Sequence, residues 1–391
     1  MPTEFDFTTL RDREGTAASK WSPLTAEDKA LGVVPLTVAD MELLAPPCVM
    51  RAMEEAARHG IYGYTYPDAE YLDAVQGWMC TRHDWAIEPD WIIPVSSVAT
   101  AMSVAVRAFT QPGEKVLLQT PGYPPFRASI LENGRQLVES PLLLGTDGRY
   151  RMDLEDLRQK ASDPAVTMMF LCSPHNPVGR IWTVEELRQV AEICMQNDVL
   201  VVSDEIHFDL ELNGRHTVLL NAVPELRERC AILTSISKTF NTAGLHVSNT
   251  IIPGEALRKA FVQRLNADGG GGLPFFGRQA VIAAYREGAP WLDALLEHVR
   301  GNFAVLGDWL KEHLPMVRPI PIEGTYLAWT DWRALGLPVD ALERKLREEA
   351  HVLFNNGRFF GEEGAGFFRI NLAVPRGVLL KELERLKGIF A

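Results

Sequence analysis

Ser235-Ile236-Ser237-Lys238-Thr239-Phe240-Asn241 follows the apolar run Cys230-Ala231-Ile232-Leu233-Thr234, which reads as a buried strand. Two hydroxyls and one amine therefore sit together at a strand's C-terminal end, the edge where open α/β sheets bind ligands. A lysine there can form a Schiff base when its pKa is depressed and a carbonyl partner is held nearby. Serine hydroxyls suit anionic phosphate oxygens. An amine beside a phosphate anchor describes a pyridoxal phosphate site. A surface turn with a solvated lysine explains S-x-S-K alone equally well, so the decision rests on other stretches.

The chain has 391 residues, 47% hydrophobic and 23% charged, which is ordinary globular usage. That length alone suggests two or three domains, or one large α/β domain with a smaller one. A net charge of −12 argues against nucleic acid and anionic membranes as partners. Residues 1–10 have no apolar core, so no signal peptide is expected, and no apolar stretch reaches membrane-spanning length. Cys48, Cys80, Cys172, Cys194 and Cys230 are widely spaced, without a C-x-x-C pair. They read as reduced thiols of a cytoplasmic protein, not as disulfides or metal ligands.

Pro46-Pro47 opens a helix over 48–59, and a glycine- and tyrosine-rich loop follows at 60–67. From residue 91 strands alternate with helices. Strands are expected at 91–95, 115–119, 136–140, 167–172, 199–203, 230–235 and 249–252, and helices at 98–109, 153–160, 183–197 and 255–265. Thr183 and Glu186 form a capping-box pattern. This alternation predicts a mostly parallel sheet covered by helices on both faces. After the breaker Gly269–Gly272 come amphipathic helices near 278–287 and 291–313. The remainder reads as strands at 325–329, 352–355 and 367–371, with helices at 339–349 and from Arg376. The division expected is a large domain over 46–288 and a small α+β domain over 289–391, the latter joined in space by residues 1–45.

Asp204 follows the strand 199–203, where a desolvated acid needs a reason. It can keep a pyridine nitrogen protonated, or it can cap a helix. Asn176, held between Pro174 and Pro177, suits a phenolate oxygen, or is a turn former. Ser96-Ser97-Val98-Ala99 opens a helix whose N–H groups point at an anion, or Ser97 is a simple cap. Tyr123 can stack on an aromatic ring or pack in a turn. Arg369, inside an apolar strand, requires a carboxylate, either a substrate's or an internal one. Each signal alone is weak. The anion cradle, Tyr123, Asn176, Asp204 and Lys238 each follow a different candidate strand, in one order along the chain, which is improbable by coincidence.

At this point the sequence resembles a fold-type I pyridoxal phosphate enzyme of the class I/II aminotransferase superfamily. It is most similar there to the cystathionine β-lyase-like cysteine–sulfur lyases of the MalY/PatB type. The motifs are Val38-Ala39-Asp40-Met41, Gly63-Tyr64-Thr65, Arg82-His83-x-Trp85, Ser173-Pro174-His175-Asn176-Pro177-Val178-Gly179, Ser203-Asp204-Glu205-Ile206-His207, Ser235-x-Ser237-Lys238-Thr239-Phe240-Asn241, Glu323-Gly324-Thr325-Tyr326-Leu327-Ala328-Trp329 and Phe368-Arg369-Ile370-Asn371. The resemblance implies pyridoxal 5′-phosphate as cofactor, with Lys238 forming the Schiff base and shuttling a proton. It implies that Asp204 pairs with the ring nitrogen, Asn176 with the ring oxygen, and that Tyr123 stacks on the ring. Val98, Ala99, Ser235 and Ser237 would hold the phosphate, with Tyr64 from the second subunit of a homodimer. His207 would lie on the cofactor, and Arg369, Ala39, Asn176 and Tyr64 would meet the substrate. Two departures from the wider aminotransferase pattern stand out. His207 replaces a tyrosine after the acid, as in the lyase-like subfamily, and His246 stands where a phosphate-gripping arginine is usual. Gly269–Gly272 and Leu273-Pro274-Phe275-Phe276 are also atypical where the second subunit's loop should approach. The implied activity is β-elimination of a thiol from an L-cysteine thioether to give pyruvate and ammonia. The alternatives are an L-amino-acid aminotransferase and a pyridoxal-phosphate-binding regulator with little turnover.

Overall fold

In the computed structural model, which describes residues 5–390, seven strands form the main sheet. They are β1 (Ile92–Val95), β2 (Lys115–Thr120), β3 (Gln136–Pro141), β4 (Val166–Cys172), β5 (Leu200–Asp204), β6 (Cys230–Thr234) and β7 (Ser248–Ile251). Their spatial order is β1-β7-β6-β5-β4-β2-β3, and only β7 runs antiparallel to its neighbours. The central strands are apolar along nearly their whole length because both faces of the sheet are covered. Met169 and Leu171 of β4, Val201 of β5 and Ile232 of β6 enter one core. The intervening Met168, Phe170, Val202, Ala231 and Leu233 enter the core on the other face. This is the period-two alternation of a pleated strand serving two hydrophobic layers.

The helix Val98–Phe109 starts and stops where its sequence predicts, and Thr183 and Glu186 make both bonds of the capping box at the start of Val184–Gln196. The helix Pro124–Leu131 has no counterpart in the sequence expectation, and neither has the longer helix Ala69–His83. Asp68 caps it, and Tyr71, Ala74, Val75, Trp78 and Met79 are buried at helical spacing. Those two signals could have identified it.

The 25-residue helix Ala289–His313 links two cores. Trp291, Leu292 and Leu295 pack with the main sheet, whereas Leu306, Trp309 and Leu310 join a third cluster. That cluster includes Leu36 from the N-terminal segment and Phe368 and Ile370 from a four-stranded antiparallel sheet. Three expectations shift here. The strand expected at 325–329 is Leu327–Asp331, because Thr325 lies at φ 71°, in the left-handed region that ends extended backbone. The strand expected at 352–355 is reduced to Asn355–Asn356. The helix over 339–349 is α-helical only to Arg344 and widens into a π turn over Lys345–Glu349.

Candidate active site

The C-terminal ends of β4, β5 and β6 open into a cleft. Ala39, Val98, Ala99, Tyr123, Asn176, Asp204, His207, Ser235, Ser237 and Lys238 all line it, so ten of the residues singled out from the sequence meet in one place. Arg369 joins them through Asn176. Tyr64 does not reach the cleft of its own chain and is wholly exposed.

Lys238 is delivered by a one-turn helix, Ile236–Thr239, directly after β6. Ser235 caps that turn, accepting from the Ser237 N–H at 3.0 Å and donating to the Val247 carbonyl at 2.7 Å. The Ser235 hydroxyl is thus committed to the fold, whereas the Ser237 hydroxyl has no hydrogen bond among the described residues. Thr239 donates to the buried carboxylate of Asp209 at 2.7 Å, which fixes the turn from behind. The Lys238 amine donates to the Ala39 carbonyl at 2.6 Å, an acceptor shared with the Tyr326 hydroxyl at 2.9 Å. Loss of solvent, followed by the nearby charge of Arg369, lowers the Lys238 pKa to about 8. An amine in that range is partly unprotonated near neutral pH, as a nucleophile and proton acceptor requires.

Asp204 is the last residue of β5 itself, opposite Cys172 of β4, and no helix begins at it. Its carboxylate is buried and accepts one backbone N–H, from Ile206, at 3.0 Å. Burial raises its pKa to about 7, against the opposing pull of Lys238. A carboxylate so placed is stabilised as an anion by a cation in the cleft, and a protonated ring nitrogen supplies one. The N–H groups of Val98 and Ala99, at the start of a twelve-residue helix, have no acceptor among the described residues. Ser97 also caps this helix, accepting from Thr100 N–H at 3.0 Å, so the capping and anion readings coexist. His207 is buried with its Nδ1 unbonded, its ring lying edge-on to Tyr326. Burial and the charges of Lys238 and Arg369 hold its pKa well below the usual histidine range, so it is neutral. These groups fit pyridoxal phosphate: a buried acid for the ring nitrogen, an uncommitted Asn176 amide donor for the ring oxygen, and free N–H groups with a free hydroxyl for the phosphate.

Arg369 is 3% exposed and has no carboxylate partner among the described residues. Its guanidinium donates to Asn176 Oδ1 at 3.0 Å, Asn355 Oδ1 at 2.8 Å and the Thr37 carbonyl at 3.4 Å, and lies 4.6 Å from the Phe360 ring centre. Its Nε–H is unbonded. Burial lowers its pKa to about 10. Among the described residues no internal acid therefore pairs with Arg369. Asn355, Phe360 and the hydroxyl of Tyr326 were not singled out in the sequence. An Asn355-Asn356 pair beside Phe354 was the signal available for the first of them.

The family model for aminotransferase class I and II matches residues 32–386. Cystathionine beta-lyase PatB of Bacillus subtilis strain 168 is 40% identical over 384 residues, covering 98% of this chain and 99% of that protein. The crystal structure of cystalysin from Treponema denticola, which contains a pyridoxal 5′-phosphate cofactor, superposes with a TM-score of 0.94 at 38% identity, covering 98% of each chain. The pyridoxal-phosphate-bound C–S lyase from Staphylococcus hominis superposes with a TM-score of 0.91 at 30% identity, covering 100% of this chain and 99% of that one.

Proposed function

The chain belongs to the aminotransferase class I and II family, and from that premise we propose that it is a pyridoxal-phosphate-dependent carbon–sulfur β-lyase. Its reaction takes an L-cysteine thioether such as cystathionine, with water, to a thiol, pyruvate and ammonia. The observation that carries an α-amino acid substrate is Arg369, a buried guanidinium without an acid partner among the described residues. The full-length likeness to a cystathionine beta-lyase and to C–S lyases supports elimination as the outcome.

When bound, pyridoxal phosphate supplies an aldehyde that condenses with amines and a ring that accepts the electron pair of a breaking Cα–H bond. The chain's own residues arrange everything around that. Arg369 grips the α-carboxylate as a fork. Lys238 takes the proton from Cα. Asp204 holds a proton on the ring nitrogen, the Asn176 amide donates to the ring oxygen, and Tyr123 packs on the ring. Val98 N–H, Ala99 N–H and Ser237 hold the phosphate, with Ser235 supporting the turn. The β-sulfur leaves as thiolate readily, because a thiol's pKa is only about 8.5.

Among the described residues no arginine other than Arg369 bonds to a cleft-lining side chain, and none lines the cleft, so a second substrate carboxylate has no fixed partner there. That disfavours transamination of glutamate or aspartate. We expect elimination to exceed amino-group transfer at least tenfold with a cysteine thioether. Incubation with cystathionine, assayed for free thiol, pyruvate and pyridoxamine phosphate together, tests this. Steady amino transfer from glutamate to keto acids, without thiol release, would replace the lyase with an aminotransferase. Arg369→Lys should raise the substrate KM by about tenfold or more and change kcat little, since an ammonium cannot reproduce the fork. An unchanged KM would return Arg369 to a purely structural role.

The active unit in this reading is a homodimer. Ile61, Tyr62, Tyr64 and Tyr66 form an exposed apolar loop, and Tyr64, idle in its own chain, completes the phosphate end of a second copy. Residues 1–45 act with a small domain at 289–391, and 46–288 form the cofactor domain. All five cysteines are unpaired, which suits a reducing cytoplasm. No helix among the described residues is long and apolar enough to cross a membrane.

A further inference from the structure

Asp209 is wholly buried, and no lysine or arginine pairs with it among the described residues. Three donors meet its carboxylate instead. The Trp78 indole N–H donates to Oδ1 at 3.0 Å, His83 Nε2 lies 2.7 Å from the same oxygen, and the Thr239 hydroxyl donates to Oδ2 at 2.7 Å. A carboxylate only accepts, so His83 Nε2 carries the hydrogen. Trp78 and His83 both belong to the helix Ala69–His83, and the His83 ring stacks on Phe208 with 4.2 Å between ring centres. The histidine of the Arg82-His83-x-Trp85 motif, which the mechanism above leaves without a task, is thus clamped on the residue before Asp209 and on Asp209 itself.

Asp209 joins the two segments that carry the chemistry. It closes the stretch Asp204-Glu205-Ile206-His207-Phe208-Asp209 that leaves β5, and through Thr239 it holds the turn Ile236–Thr239 that leaves β6. The first segment brings Asp204 and His207 to the cleft, the second Ser237 and Lys238. A single helical turn is not stable by itself. Ser235 and Asn241 tie its two flanks, the one to the Val247 carbonyl, the other to the carbonyls of Met41 and Leu43. Within the turn, among the described residues, only Lys238 and Thr239 make side-chain hydrogen bonds. The Thr239 bond is therefore the directional contact on the turn's inner side.

We propose that Asp209 is a positioning residue for Lys238, setting through Thr239 where the amine stands relative to Asp204, with His83 and Trp78 holding the carboxylate in place. This rests on the reading of Lys238 as the base. Fold stability alone does not account for the arrangement. Replacing a buried ionic group by apolar side chains of similar volume often leaves stability unchanged or raised. Apolar contact has no preferred direction, however, whereas a carboxylate gripped by three donors has one. Displacing a reacting group by about 1 Å can cost on the order of a hundredfold in rate. A turn fixed in direction therefore has a kinetic value that a merely packed turn lacks.

Thr239→Val removes the hydroxyl and keeps the branched shape, and Thr239→Ser keeps the hydroxyl. Each holoprotein is compared with wild type by steady-state elimination of cystathionine, by the visible circular dichroism of the bound cofactor at rest, and by thermal melting. The expected result for Thr239→Val is a kcat lower by about tenfold or more with KM unchanged, together with a weakened cofactor band. Thr239→Ser should stay close to wild type in both. Asp209→Asn, which keeps an oxygen for Trp78 and His83, should fall between them, and it decides the role if Thr239→Val does not fold. A Thr239→Val or Asp209→Asn protein that melts lower yet keeps the wild-type kcat and cofactor band would make the contact purely structural and overturn the assignment. Equal loss of rate in Thr239→Val and Thr239→Ser would overturn it too, because the hydroxyl would not be the cause. A wild type that carries the cofactor on Lys238 but releases no thiol would overturn the lyase reading alone, and the cofactor band would still decide the role of Asp209.

Discussion

Lys238→Ala should lower β-elimination by about three orders of magnitude or more, within the span a lost general base commonly costs, while the protein still takes up pyridoxal phosphate. The two effects separate because the phosphate-suited groups, Val98 N–H, Ala99 N–H and Ser237, do not depend on the lysine side chain. No second lysine lines the cleft to take over. Lys20, the other lysine whose charge reaches Lys238, is fully buried in ion pairs with Asp40 at 3.4 Å and Glu42 at 3.1 Å and cannot swing across. Borohydride treatment of the yellow wild-type protein, followed by peptide mass mapping, should fix the cofactor on Lys238. A label on any other lysine, or a variant that turns over at the wild-type rate, would remove Lys238 from the centre of the chemistry.

What could be read from the sequence was governed by whether a side chain announces its surroundings. β4 is legible because a strand buried on both faces must be apolar at nearly every position, as Val166–Cys172 is. Asn176, Asp204, Ser237 and Lys238 are legible because polar groups directly after such runs demand an explanation. The Ala39 carbonyl is different. Its role as acceptor for both Lys238 and Tyr326 belongs to the main chain, and no residue type signals it. Asn355 meets Arg369 as its direct cross-strand partner on the neighbouring edge strand, and Phe360 comes from the turn that follows, pairings that only the tertiary fold creates. Ser235 shows a third limit. A hydroxyl beside a lysine reads as a phosphate donor, yet its proton goes to the Val247 carbonyl, just ahead of the neighbouring strand. In the small domain short strands failed for a local reason, since two-residue pairings such as Asn355–Asn356 are set by partners and not by propensity.

Asp204 allows the electrostatic and local roles of one carboxylate to be separated. Its Oδ1 accepts the Ile206 N–H, which shapes the chain after β5, and its charge is the part proposed to hold a proton on the ring nitrogen. Asparagine keeps an oxygen for Ile206 but carries no charge. Glutamate keeps the charge and moves the oxygen by one methylene. Alanine loses both. If the charge governs catalysis, Asp204→Asn and Asp204→Ala should both fall far below Asp204→Glu. Truncating one partner of a buried charge pair costs about 2–5 kcal/mol, or roughly thirtyfold to several thousandfold in rate. If the turn governs, Asp204→Asn should stay near wild type and only Asp204→Ala should fail. Burial favours the first outcome. Raising the carboxyl to about 7 means that the site destabilises the anion on its own, so a folded protein gains nothing from an ionised acid there unless a cation arrives to pair with it. For the same reason Asp204→Asn should melt no lower than wild type when both are stripped of cofactor. Steady-state rates for the three variants, set beside thermal melts with and without pyridoxal phosphate, decide between the roles. An Asp204→Asn enzyme of undiminished rate would reduce Asp204 to a residue of the fold.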